Sequence, residues 1–146
     1  MKPYTKKPIE SKSLEEPFIS LSAGDFSSPI SLARNGVKYG FLLDIAEKLS
    51  ISLQELSDVL HVSLRTLQRY VPSKRLDTEA SSKALQLAVI LKKGIEVFGS
   101  EKATNTWMNS SIPAFGGKRP KDFLDTPFGF QMLEEELTRI QYGVFA

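Results

Sequence analysis

The residues best suited to meet a charged partner cluster between His61 and Leu76. This stretch holds Arg65, Arg69, Lys74 and Arg75 and no acidic residue, with Ser63, Thr66 and Gln68 interleaved. Arg, Gln, Thr and Ser are side chains that reach base edges and phosphates in a major groove, and an acid-free basic run is drawn to a polyanion. These seven residues are the candidate DNA contacts. Catalysis finds no comparable support. The one histidine, His61, has no Ser, Cys or carboxylate pair placed beside it by spacing. Glu134, Glu135 and Glu136 are consecutive, so they spread around a helix instead of converging on a metal ion. GGKRP at 116–120 lacks the glycine spacing of a phosphate loop. Neither enzymatic activity nor a metal or cofactor is expected.

The elements that must carry those contacts are legible in the spacing of apolar residues. Ser52 precedes Leu53, Leu56, Val59 and Leu60, a one-sided apolar set with an N-cap oxygen before it. His61 and Val62 interrupt the pattern. Ser63 then offers a second cap, and Leu64, Leu67, Tyr70 and Val71 return at three- and four-residue spacing. The pair reads as a helix-turn-helix in which Leu64 to Tyr70 is the recognition helix, with Leu64, Leu67 and Val71 turned inward. A plain helical hairpin with a solvated basic face is the competing account.

Around this pair the chain reads as all-α. Residues 1–27, rich in Lys, Ser, Pro and Glu, form an arm in which Phe18, Ile19, Leu21 and Phe26 could dock on the folded part or on a second subunit. Ser28 and Pro29 open a short helix stopped by Gly36. Phe41, Leu42, Ile45, Ala46 and Leu49 make the stripe of the next, which completes a DNA-reading domain over 28–76. Pro72 ends the recognition helix. Asp77 or Thr78 caps a long helix from about Glu79 to Phe98, closed by Gly99, and 77–99 is expected to connect to a second domain. In that domain, 100–146, Ser100 caps a short helix with Ala103 and Trp107, SIPAFGGKRP is a loop, Pro120–Leu124 a helical turn, and Thr126 with Pro127 opens a last helix ending at Gly143. Trp107, Phe123, Phe128 and Phe130 are expected in its core. Val144, Phe145 and Ala146 form an apolar, uncharged closing run, either a docking peptide or a segment folded back on the last helix.

Composition sets outer bounds. At 146 residues and 41% hydrophobic content the chain can bury a real core, and the absence of cysteine removes disulfides and thiolate zinc sites. The opening MKPYTKKPIE lacks the apolar core of a leader peptide, and no run approaches the length of a spanning helix, so a cytoplasmic place and no membrane contact are expected. The net charge is only +2. The argument for DNA therefore rests on where charge lies.

From Gly94 onward the sequence resembles a known family. Val97 to Gly99, Ala103 ahead of Trp107, Pro113, Gly117 then Pro120, Leu124 with Thr126 and Gly129, Leu137 with Arg139 and Ile140, and the closing Gly143 to Ala146 fall in the order found in the toxin-binding domain of Xre/MbcA/ParS-type antitoxins, partners of RES-domain toxins. Met108 stands where a leucine is expected. With the upstream helix-turn-helix the resemblance covers about 37–146, leaving the first 36 residues without a counterpart. It implies a type II antitoxin that acts on a NAD-consuming toxin resembling an ADP-ribosyltransferase. By the same resemblance the blocking element would be Arg139, Tyr142, Gly143, Val144, Phe145 and Ala146, entering the toxin's cleft. The resemblance further implies repression of the protein's own promoter, as a homodimer on operator DNA. The alternative is a free-standing dimeric transcriptional regulator whose C-terminal third dimerises or senses a ligand.

Overall fold

The computed structural model describes residues 27–143, and among these it contains only helices, turns and one isolated antiparallel bridge, Lys38 to Arg75. Helix α1 spans Ser27–Asn35, α2 Tyr39–Lys48, α3 Leu53–Leu60, α4 Leu64–Arg69, α5 Thr78–Phe98, α6 Glu101–Met108 and α7 Pro127–Gln141. Two 3-10 turns, Pro113–Phe115 and Pro120–Phe123, join α6 to α7. Side-chain oxygens cap five of the helices at the residues whose chemistry called for it. Ser52 accepts from the Glu55 N–H, Ser63 from Thr66, Asp77 from Ala80, Ser100 from Ala103 and Thr126 from Gly129. At Ser52 the box is complete, since the Glu55 carboxylate accepts the Ser52 N–H in return at 2.9 Å.

Helix α5 is the axis of the molecule. Its sequence alternates small and large apolar residues on several faces, and Ala84, Leu87, Ala88, Ile90 and Leu91 are essentially sealed from solvent. Helices α1, α2, α6 and α7 all pack on it, α3 more lightly. One hydrophobic cluster therefore runs from Ala33 and Leu42 through α5 to Leu133 and Leu137. The segment expected to connect two domains carries the packing surface of both.

Close backbone approaches fix how the end elements lie. A Cβ at Gly94 would stand 2.3 Å from the Thr104 methyl, so only glycine lets α6 sit against α5 there. A Cβ at Gly129 would stand 1.6 Å from the Phe123 carbonyl oxygen, so α7 begins hard against the second 3-10 turn. Between these contacts runs a row of rings, Phe98, Trp107, Phe115 and Phe123, with successive centroids 5.5, 6.4 and 5.4 Å apart.

Two expectations about packing fail. Val71 is 55% exposed, not turned inward, because Tyr70 is already extended and ends α4 at Arg69. Phe128 is 83% exposed, whereas Phe130 is buried and Trp107 and Phe123 pack against the core as expected. Residues 1–26 of the N-terminal arm and Val144 to Ala146 lie outside the described residues, and Ser27, expected at the end of the arm, is instead the first residue of α1.

Candidate functional site

Helix α4 reaches the surface with an unequal division of its polar side chains. Leu67 is buried beneath it and Leu64 half-buried, while Arg65, Gln68 and Arg69 are exposed. Ser63 and Thr66 are occupied locally, since the Ser63 hydroxyl caps the helix and lies 2.8 Å from Thr66 Oγ1. Lys74 holds its ammonium 4.8 Å above the Tyr70 ring. Arg75 donates from Nη1 to the Gly36 carbonyl at 2.6 Å, tying the loop after α4 to the α1–α2 corner. Of the seven candidates, Arg65, Gln68 and Arg69 stand together and exposed on the helix, Lys74 and Arg75 flank it with internal contacts, and Ser63 and Thr66 shape its first turn.

The turn between α3 and α4 is pinned from the opposite end of the sequence. His61 adopts a left-handed conformation, φ 56° and ψ 40°, as the C-cap of α3, and its ring Nε2 donates to the Asp125 carbonyl at 2.8 Å. At the other end of α3, Lys121 Nζ lies 3.0 Å from Glu55 and donates to the Ser50 carbonyl at 3.1 Å. Arg119 reaches Glu55 at 3.6 Å and Asp122 at 2.8 Å. Burial acts to raise the Glu55 carboxyl, yet the Ser52 N–H and Lys121 together hold it below the usual carboxylate value. The Arg119 guanidinium likewise lowers Asp122. Asn105 of α6 adds bonds to the Lys48 carbonyl and the Ser50 hydroxyl. Between these anchors is a cleft of about 630 Å³ lined by Glu55, Asp58, His61, Lys121, Asp122 and Asp125. Among the described residues no group of three or more His, Cys, Asp or Glu side chains is arranged to hold a metal ion.

Helix α7 carries the last residues of interest. Phe130, Leu133 and Leu137 face α5, and Lys93 of α5 donates to the Thr138 hydroxyl at 2.6 Å. Arg139 is exposed and pairs with Glu136 at 3.3 Å. Tyr142, the C-cap, is 73% exposed, and Gly143 takes a left-handed φ of 63°.

Comparison with known families decides the reading. Residues 28–89 match the antitoxin Xre-like helix-turn-helix domain, and residues 93–143 match the antitoxin Xre/MbcA/ParS C-terminal toxin-binding domain. The chain belongs to the Xre/MbcA/ParS-type antitoxins. Relatives of this antitoxin include the Prs ADP-ribosylating antitoxin of Sphingobium sp. (strain YBL2), 28% identical over 127 residues and 80% of each chain. Antitoxin Xre of Yersinia enterocolitica serotype O:8 is 25% identical over 118 residues, covering 77% of this chain and 80% of its own. Its fold is shared with a chain of the M. tuberculosis MbcT-MbcA toxin-antitoxin complex, with a TM-score of 0.53 and 22% identity over 73% of this chain and 95% of that one. Both of these relatives are antitoxins by name. No helix among the described residues is long and apolar enough to cross a membrane.

Sequence reasoning missed two parts of this antitoxin's surface. Exposed Phe128 was assigned to the core by the base rate for large aromatics. The Glu55, Lys121 and Arg119 group joins residues more than sixty positions apart, which no local pattern signals.

Proposed function

We propose that this antitoxin neutralises a RES-domain, NAD-consuming toxin by entering its active-site cleft with the C-terminal end, and represses its own promoter through α4 as a homodimer on a two-fold operator. The observation that carries the toxin half is the match of 93–143 to a toxin-binding domain. That match ends where an exposed last turn of α7, with Arg139 and Tyr142, leads into Val144, Phe145 and Ala146. A nucleotide cleft offers apolar walls to a Phe side chain. The DNA half is supported by the match of 28–89 and by the exposed Arg65, Gln68 and Arg69 on a capped helix.

Deleting Val144 to Ala146 tests the inhibitory end. The truncated antitoxin is expected to lose rescue of cells that co-express the RES-domain toxin and to retain operator binding in a mobility-shift assay. Full rescue by the truncated chain would place the block elsewhere.

A further inference from the structure

We propose that the outward face of α7, anchored by Phe128, is a docking surface for the toxin that runs along the helix into the end that enters the cleft. The inference rests on the toxin-binding reading above. Four large hydrophobic side chains are exposed among the described residues, Ile30, Val71, Phe128 and Tyr142. The last two fall inside the matched toxin-binding region, and both are on α7. They are fourteen positions apart, which at 100° per residue returns to within about 40° of the same direction. Glu135 and Arg139 lie between them on that face, directly opposite Phe130, Leu133 and Leu137 in the core, while Met132 at its border is half-buried against the core. The result is a strip about 21 Å long with an aromatic ring at each end.

Its exposure is built into the packing. Gly129, the residue after Phe128, lies so close to the Phe123 carbonyl that no Cβ fits, and the Thr126 hydroxyl caps the same turn by accepting the Gly129 N–H. Rolling α7 to bury Phe128 would break that cap and turn Phe130 out of the core. The fold therefore holds a large apolar ring in water at a fixed orientation. Exposed aromatics flanked by neutralised polar groups are what a protein partner buries at the centre of an interface. The polar middle of the strip is already satisfied, since Gln131 donates to Glu135 at 3.0 Å and Arg139 pairs with Glu136. The toxin, not a second copy of this chain, is the occupant because the whole strip belongs to the toxin-binding region, while Ile30 and Val71 lie outside it.

The test uses the full chain and a catalytically inactive RES-domain toxin from the same source, with affinity read by calorimetry. Phe128→Ser is expected to weaken the complex about ten-fold or more, with an unchanged melting temperature and helical circular dichroism. Phe128→Leu should recover most of that loss. The chain ending at Gly143 should stay within a few-fold of full affinity yet fail to stop NAD consumption by the active toxin. Wild-type affinity in Phe128→Ser overturns the docking face while leaving the antitoxin reading in place. No binding by the unaltered chain overturns both. A loss of self-association in Phe128→Ser at unchanged toxin affinity would assign the strip to a second copy and overturn the proposal.

Discussion

At the scale of single residues, the basic side chains of the DNA-reading region divide by what already occupies them. Arg65 and Arg69 are exposed on α4 and make no salt bridge among the described residues, whereas Arg75 donates its guanidinium to the Gly36 carbonyl. That bond closes a corner where Gly36 must take φ 85° and where a Cβ would stand 2.5 Å from the Leu76 carbonyl oxygen. Substitutions should separate the two kinds. Arg65→Ala and Arg69→Ala are expected to weaken operator binding by about 1 to 3 kcal/mol each if they contact bases, with no change in unfolding midpoint. Arg75→Ala should lower stability by about 1 kcal/mol through the lost hydrogen bond, whatever it does to DNA binding. Urea titrations beside operator titrations at fixed salt check both, and a stable Arg75→Ala chain would show that the corner holds without it.

At the scale of elements, five of the seven helix starts were legible because capping is local, whereas α2 follows Lys38 with no side-chain cap and α1 begins at Ser27, ahead of the Ser28 cap expected for it. Ser52, Ser63, Asp77, Ser100 and Thr126 announce their helices with an oxygen three residues ahead of the N–H it accepts. Orientation was less legible, because it is decided by contacts between elements. The apolar period on α7 turns Phe130, Leu133 and Leu137 inward and, at 100° per residue, Phe128 outward, but the expectation that a large aromatic is buried overrides that direction. The Gly129 contact with Phe123 holds it there. Val71 was misread for a related reason, since its helical spacing continues past the point where Tyr70 leaves the helix. Gly129→Ala should therefore cost about 3 kcal/mol or more, as an unrelieved clash with backbone at 1.6 Å forces α7 off its seat. Gly94→Ala meets the Thr104 side chain at 2.3 Å, not backbone at 1.6 Å, and should cost less. Thermal melts of the two variants rank them, and equal losses would mean that α7 shifts as easily as Thr104 rotates.

At the scale of the whole molecule, the DNA-reading half and the toxin-binding half share one core around α5 and a second, polar contact through Glu55. That contact gives the stability of the antitoxin a pH dependence whose sign follows from the carboxylates involved. Glu55 and Asp122 titrate below their ordinary values, so their contribution is complete above the usual carboxylate range near 4 and fades as pH falls through their lowered folded values. Glu134, raised by burial on α7, acts in the opposite sense: its contribution is present when protonated and is lost as pH rises through its raised value. Glu55→Gln isolates the first effect. A glutamine at this position can still accept the Ser52 N–H and keep the cap, but it leaves the Lys121 ammonium, whose side chain is only 8% exposed, without its counter-charge. The variant is expected to lose about 1 to 2 kcal/mol at neutral pH in urea denaturation. The gap to the unaltered chain should close as pH falls through the lowered Glu55 value, where the carboxylate itself becomes neutral. A gap that stays constant with pH would mean that the two halves are joined by the shared core alone.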